Sequence, residues 1–331
     1  MKAEIVERLR CTNCAGVLSL TDTRGDVGGE IESGELRCAD CNRAFPIVRY
    51  IPRFVPAANY ADSFGFQWNH FRQTQLDSYS RTEISRRRFL RQTAWTREML
   101  NGASVLDVGC GAGRFTEIAL SLGATVFAVD YSQAVEACWN NMRGHERLSV
   151  IQGDIFSLPF AVESFDFVYC FGVLQHTPSP RGAFLSLPKQ VRPEGSLVVD
   201  VYMQRFGNML HPKYWLRPIT TRISRPALFR LIERTAGPLL QLSNFLSRLP
   251  SGDLLRRIVP IANYRGIHPL SEEQLVEWSV LDTFDWLSPI YDRPQTAAAL
   301  RSWFEAANFD DVEVLKVDHL VGRGRKPVPS N

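Results

Sequence analysis

The sequence predicts an α/β fold built on a doubly wound parallel sheet, and three observations carry that prediction. Between residues 104 and 202, apolar runs with strand character alternate with helical runs, as parallel βαβ units do. A turn with three glycines, in VLDVGCGAGRF at 105–115, directly follows the first run. Near the start, two C-x-x-C pairs predict a separate small metal-binding module.

The elements follow in order along the chain. A helix is expected over 84–100, where Phe89, Leu90, Trp95 and Met99 have helical spacing. Gly123 and Gly144 are expected to end the two helices that follow, with Ser132 as an N-cap. The predicted strands are SVLDV, TVFAVD, LSVIQGD, FDFVYC and SLVVDVY, the helices between them are RFTEIALSLG, SQAVEACWNNMRG and RGAFLSLPKQV, and a last helix, TAAALRSWFEAANF, precedes the strands VEVLKV and HLVGRGR.

Four regions result: a cysteine module at 1–56, a linker and lead-in helix at 57–100, the α/β core at 101–202 and 267–326, and a helical insertion at 203–266. A hydrophobic content of 45% and a charged content of 22% exclude a disordered or fibrous protein. Neither a secretory signal nor an apolar run of roughly 20 residues is present. We therefore expect a cytoplasmic protein.

The glycine turn favours one class of nucleotide ligand. It reads G-x-G-x-G (Gly109, Gly111, Gly113), with Arg114 where a dinucleotide site has its third glycine. Asp107 ends the strand before the turn, where a carboxylate repels a pyrophosphate but attracts an ammonium and a sulfonium group. S-adenosylmethionine carries both cations. Asp130 and Asp154 end the next two strands, where we expect them to bind the ribose hydroxyls and the adenine amine.

Residues 105–201 resemble the core of a class I S-adenosylmethionine-dependent methyltransferase of the type 11-like group. The matching motifs are LDVGCGAGRF, the acidic VD at 129–130, GDIFSLPF, SFDFVYCFGVLQHTP and VRPEGSLVV. The resemblance implies a Rossmann-like seven-stranded methyltransferase sheet, with its seventh strand antiparallel beside the sixth. It also implies that Tyr131, Ser132, Ile155 and Phe171 help to bind the cofactor.

Two residues are candidates for assisting methyl transfer. His176 follows the fourth strand, and the carboxyl ends of such strands face the ligand crevice. It is either a general base or a residue that hydrogen-bonds its loop and shapes the pocket. Asp200 is a charged residue within an apolar strand, where it either orients a base or substrate or lies beyond the buried zone.

The cysteine module has the spacing of a four-thiolate metal site. Cys11, Cys14, Cys38 and Cys41 form C-x2-C-x23-C-x2-C, which suits tetrahedral Zn²⁺ better than disulfides in a cytosolic enzyme. The module resembles zinc ribbons of the tRNA-methyltransferase activator type, whose second knuckle also runs into an F/Y-P-I turn like AFPI at 44–47. A structural staple, a substrate-side lid and a nucleic-acid contact are the possible roles.

The insertion differs in charge from the rest of the chain. Residues 203–266 contain 11 Lys and Arg against two Asp and Glu, a net charge of +9 that leaves −6 for the remainder of a chain with a total of +3. It is either a solvated helical cap, a cap over a phosphorylated or lipid-linked substrate, a contact for an anionic membrane, or an RNA path. We expect a biosynthetic methyltransferase acting on a small, sugar-linked or lipid-linked acceptor; the alternatives are an RNA base methyltransferase and a non-catalytic S-adenosylmethionine-binding partner protein.

Overall fold

The computed structural model describes residues 1–27, 29–56, 59–204 and 211–328. A small antiparallel sheet forms the N-terminal module, with its four strands in sequence order. Its first two strands form a hairpin that lies largely between the two cysteine pairs. The strands are β1 (Leu18–Val27), β2 (Glu30–Cys38), β3 (Ala44–Val48) and β4 (Ile51–Pro52).

Short helices connect this module to the main sheet: α1 (Asp62–His70), α2 (Asp77–Ser80), α3 (Ile84–Thr93) and α4 (Arg97–Leu100). The single helix expected over 84–100 was wrong, because the chain breaks at Ala94, which has a left-handed φ of 56°. The break lets Trp95 bury its ring, 4% exposed, against Phe167 at a centroid distance of 4.7 Å. Burial of this large ring outweighs the cost of one left-handed alanine.

The main sheet is mixed and has seven strands in the order β10-β11-β9-β8-β5-β6-β7. Strands β5 to β9 are parallel to one another, and β11 is antiparallel to both of its neighbours, β9 and β10. This arrangement confirms the expected sheet. The strands are β5 (Ser104–Val108), β6 (Thr125–Asp130), β7 (Leu148–Gln152), β8 (Phe165–Cys170), β9 (Val191–Val201), β10 (Asp310–Val317) and β11 (His319–Arg325). Four helices pack on the sheet: α5 (Arg114–Ser121), α6 (Ala134–Met142), α7 (Pro180–Ser186) and, late in the chain, α12 (Ala297–Ala306).

A helical layer follows β9 and covers one end of the sheet. Its members are α8 (Pro212–Thr220), α9 (Arg225–Leu246), α10 (Gly252–Leu255) and α11 (Glu272–Leu287). The inner face of α9, which includes Leu228 and Ile232, shares an apolar core with Leu281 and Phe284 of α11. The layer therefore reaches Leu287 instead of ending at residue 266. No described helix is long and apolar enough to cross a membrane.

Candidate active site

A cavity of about 1120 Å³ lies where the strand order reverses, at the carboxyl ends of β5, β6 and β8. Crevices at this position of doubly wound sheets are the usual ligand sites. The sheet forms its floor, α1 and α3 form a second wall, and α11 with the loop before it forms a third. Three separate parts of the chain thus enclose one space large enough for two small ligands.

The glycine turn forms the floor because side chains do not fit there. Gly109, Gly111 and Gly113 have φ values of 83°, 54° and 93°, a region that favours glycine. A Cβ on Gly109 would lie 2.1 Å from Val173, and one on Gly111 would lie 3.2 Å from Trp68 Nε1. Gly109 and Gly111 line the cavity. Gly113 instead caps α5 from below the turn.

Asp130 lines the cavity beside the turn and is held rigidly. Its Oδ2 accepts a hydrogen bond from Gly111 N at 3.0 Å, and its Oδ1 accepts from Ser132 N at 2.8 Å and Ser132 Oγ at 2.7 Å. Burial raises the pKa of Asp130, and the hydrogen bonds from Ser132 and Gly111 oppose that shift. Ser132 is fully buried and positions the carboxylate. Tyr131 does line the cavity, against Tyr60 at a centroid distance of 4.9 Å.

Asp107 lies behind the turn, contrary to the expectation that it faces a cationic ligand. It is 2% exposed, and Thr116 Oγ1 in α5 donates a hydrogen bond of 2.6 Å to its Oδ2. Burial raises the pKa of this carboxyl to about 7. The physical reason is that Asp107 points down from the strand into the packing under α5. There it fixes the helix that follows the turn.

The residues that follow β7 and β8 contribute apolar contacts. Ile155 and Phe171 line the cavity. Asp154 lies between the lining residues Gly153 and Ile155, and its Oδ1 accepts a hydrogen bond from Phe156 N at 3.0 Å. Burial raises the pKa of Asp154. Its carboxylate therefore shapes the loop at the cavity rim.

His176 lines the cavity. Its Nδ1 forms a hydrogen bond, whereas its Nε2 has no hydrogen-bond partner among the described residues. Its Nδ1 lies 2.9 Å from the carbonyl oxygen of Tyr291. Because a carbonyl only accepts hydrogen bonds, Nδ1 carries the proton and the neutral ring has its lone pair on Nε2. Nε2 is buried with no hydrogen-bond partner among the described residues. Phe64 packs on the ring at a centroid distance of 5.1 Å.

Asp200 does not reach the cavity surface or the imidazole of His176. It is fully buried; Arg88 Nη2 donates to its Oδ2 at 2.6 Å, Gln92 Nε2 donates to the same oxygen at 3.0 Å, and Gly172 N donates to Oδ1 at 2.5 Å. Burial alone would raise the pKa of Asp200, but the charges of Arg88 and His319 bring it below its usual value. Since Arg88 and Gly172 line the cavity, Asp200 positions two parts of its wall.

Helix α1 supplies cavity residues that sequence reasoning missed. Phe64, Gln67 and Trp68 share one face at i, i+3 and i+4, and all three line the cavity. Gln67 is fully buried, and both polar atoms of its amide are without a partner among the described residues. A buried amide without hydrogen bonds is costly, so Gln67 is suited to bind a polar group in the cavity. The i, i+3, i+4 spacing in FGFQWNHF was the available signal.

The far end of the cavity mixes cations, aromatic rings and acids. Arg114, at the position of the third dinucleotide glycine, donates to Gln75 Oε1 and to Ser85 Oγ, each at 2.9 Å. Burial lowers the pKa of Arg114 to about 10. Further lining residues at this end are Arg81, Arg88, Tyr264, His268, Trp278 and Asp282. This end can bind a polar, ring-bearing molecule.

The four N-terminal cysteines converge on one point outside the cavity. Their sulfur atoms all lie within 4.8 Å of one another, with Cys11–Cys41 and Cys14–Cys38 Sγ pairs at 3.5 Å. Tetrahedral zinc with Zn–S bonds of about 2.3 Å places sulfurs about 3.8 Å apart, so the cluster fits that metal. All four thiols are free.

The cysteine module supports a loop at the cavity rim. Arg10 N donates to Pro159 O at 2.9 Å, and Ser157 Oγ donates to Thr12 O, between the first two cysteines, at 3.1 Å. Residue 157 follows Asp154 and Ile155 in the same loop, whose Ile155 lines the cavity. The first knuckle therefore braces the loop that carries part of the cavity wall.

Residues 106–199 match the family model described as methyltransferase domain. The chain is 35% identical over 120 residues to a mitochondrial ubiquinone biosynthesis O-methyltransferase of Schizosaccharomyces pombe, covering 34% of this chain and 42% of the relative. It is 29% identical over 143 residues to a sterol 24-C-methyltransferase of Pneumocystis carinii, covering 40% and 37% of the two chains. The chain thus spans less than half the length of either relative.

The structure of human N-acetylserotonin methyltransferase in complex with SAM is a distant structural neighbour. It has 14% sequence identity and a TM-score of 0.46, over 83% of this chain and 61% of that one.

Proposed function

We propose that the chain is an S-adenosylmethionine-dependent methyltransferase that modifies a small-molecule acceptor, free or linked to a sugar or lipid. The family match at 106–199 supports the enzyme class, and relatives named for ubiquinone biosynthesis and sterols support a small acceptor. The observation that carries the proposal is one cavity that joins the glycine turn and Asp130 to His176, whose Nε2 has no hydrogen-bond partner among the described residues.

The cofactor end of the cavity has a hydrogen-bond acceptor and apolar walls that suit this nucleoside. Asp130 is fixed by Gly111 and Ser132 with Oδ2 capacity left for a ribose hydroxyl. Ile155, Phe171 and Tyr131 supply apolar and aromatic walls for a base. When bound, S-adenosylmethionine supplies an electrophilic methyl group on a sulfonium leaving group, so alignment of the acceptor provides most of the rate.

His176 and Gln67 are the residues that we propose to handle the acceptor. The Tyr291 carbonyl holds the proton on Nδ1, which leaves Nε2 free to take a proton from an acceptor hydroxyl. The Gln67 amide, with a free donor and a free acceptor atom, orients that hydroxyl. Phe64 covers the imidazole and excludes water from it. Asp200 does not contact the acceptor directly; it positions Arg88 in the cavity wall through their hydrogen bond.

We further propose that the four cysteines hold a structural Zn²⁺ in a ribbon of the activator type. Four thiolates leave no open position on the metal, so its chemistry is structural. The hydrogen bonds from the knuckle to the 154–160 loop support a bracing role.

A methyl-transfer assay with His176→Asn tests the catalytic proposal. Asparagine keeps an N–H donor for the Tyr291 carbonyl but has no base at the Nε2 position. We expect kcat to fall about 10²- to 10⁴-fold, with S-adenosylmethionine affinity near that of the wild type, measured by calorimetry. Gln67→Leu should mainly raise KM for the acceptor. An unchanged kcat in His176→Asn would exclude the base role; His145→Asn, outside the cavity wall, is the matched control.

The same assay separates the other functions. Radiolabelled cofactor is offered with a metabolite extract before and after RNase treatment. Activity that survives RNase supports the small acceptor, activity lost on treatment would indicate an RNA base methyltransferase, and cofactor binding without transfer to any fraction would indicate a non-catalytic partner protein.

A further inference from the structure

The helical layer exposes an unusual amount of apolar surface. Of the 18 large apolar side chains that are exposed among the described residues, nine lie between positions 215 and 267. Trp215 is 69% exposed, Ile219 is 64% exposed and Phe245 is 59% exposed. Apolar patches of this kind on a folded protein mark interaction sites. They are unrelated to the inner core of the layer, which is already filled.

These side chains form stripes instead of being scattered. Trp215 and Ile219 are one turn apart on α8. Leu231, Leu242 and Phe245 on α9 fall within about 60° of one another at 100° per residue. The inner stripe of α9, including Leu228 and Ile232, faces the core in another direction. Helix α9 therefore has two apolar faces, and the second points away from the core. We call the exposed stripes of α8 and α9 the outer face.

The outer face is flanked by cations. Arg230 and Arg234 are exposed and adjoin the α9 stripe at helical positions next to Leu231. The guanidinium groups of Arg222, Arg225 and Arg230 donate to the backbone carbonyls of Pro218, Thr221 and Pro226, respectively, and these three arginines form no ion pair with a described residue. Residues 203–266 together carry a net charge of +9.

We propose that the outer face docks on the surface of an anionic lipid bilayer. Basic side chains are attracted to anionic headgroups, while tryptophan and aliphatic side chains between them enter the boundary with the acyl chains. A second copy of the chain fits poorly, because a symmetric contact would place two strongly positive faces together. RNA fits poorly as well, because its phosphates would bind the basic side chains but leave the aliphatic stripes exposed to water.

Docking on a bilayer would suit the lipid-linked acceptors included in the proposed function. Ile267, in the loop before α11, is 56% exposed and also lines the cavity, so this loop forms part of the cavity mouth. The contact itself does not depend on the proposed methyl transfer and can be measured without it.

Vesicle flotation of the full chain tests the docking surface. The probes are phosphatidylcholine vesicles and vesicles of phosphatidylcholine mixed with phosphatidylglycerol, at low and high salt. We expect flotation with the mixed vesicles only, and release by high salt because exposed charges are screened. Equal binding to neutral vesicles, or no binding to either kind, would overturn the proposal.

Matched variants locate the contact. Trp215→Ser with Ile219→Ser, and separately Arg230→Glu with Arg234→Glu, should each lower the bound fraction at least tenfold without changing the melting temperature. Val162→Ser, at a residue that is 67% exposed elsewhere on the chain, should bind like the wild type. If Val162→Ser is equally impaired, or if Trp215→Ser with Ile219→Ser instead dissolves a dimer seen by light scattering, the outer face is not a membrane surface.

Discussion

The burial of Asp107 has a measurable consequence for the pH dependence of stability. Burial raises the pKa of its carboxyl from 3.8 to about 7. Between these values the unfolded chain has lost the proton that the native chain retains, so the free energy of unfolding falls as pH rises. At 1.36 kcal/mol per pKa unit, the full loss is about 4 kcal/mol, of which about 3 kcal/mol falls between pH 5 and pH 8. Asp107→Asn removes the titrating group but keeps an acceptor for Thr116.

Urea unfolding at intervals from pH 5 to pH 8 measures this loss. Asp107→Asn should be less pH-dependent than the wild type by about 3 kcal/mol across that range. Burial also raises the pKa of Asp282, to about 6, with the same sign, but its contribution is nearly complete by pH 7. Asp282→Asn is therefore the control, since it keeps the Asp107 slope above pH 6. Parallel profiles for the wild type and Asp107→Asn would refute the reasoning.

Three other perturbations test the turn, the buried ion pair and the cysteine cluster. Gly109→Ala, whose Cβ would lie 2.1 Å from Val173, should abolish cofactor binding in calorimetry, whereas Gly144→Ala, with the similar φ of 85° and open space, should cost only about 1–2 kcal/mol of stability. Asp200→Ala leaves Arg88 mostly buried without its counter-ion and should lower the free energy of unfolding in urea by about 3–5 kcal/mol. Chelation should release one zinc per chain, detected with a chromogenic indicator, and lower the melting temperature by about 5 °C or more.

The strands of the main sheet were predictable because their cause is local. Strands β6 and β8 coincide with the predicted runs TVFAVD and FDFVYC, since a strand buried on both faces is a continuous apolar run. The break at Ala94 was not predictable, because alanine has no preference for left-handed backbone. It arises from contacts of Trp95 with β8, more than 70 residues later in the chain.

The candidate site also contains residues that local motifs predict and residues that only distant contacts reveal. The glycine turn and Asp130 are specified by contiguous motifs, and both line the cavity. Asp200 looked like a cavity residue because its partners were hidden: Arg88 precedes it by 112 residues. Gln67 has no chemical motif around it and becomes a candidate only when its amide is found buried without a partner.

Part of the cavity wall lies outside the segment that matches the methyltransferase family model. Gln67 and Arg88 precede residues 106–199, and His268 follows them, yet all three line the same cavity as the glycine turn. The matched segment supplies the glycine turn, Asp130 and His176, whereas the lead-in helices and the helical layer supply other parts of the wall. Under the proposed function, we expect acceptor choice to depend on the lead-in helices and the helical layer as well as on His176, and the helical layer also carries the basic outer face.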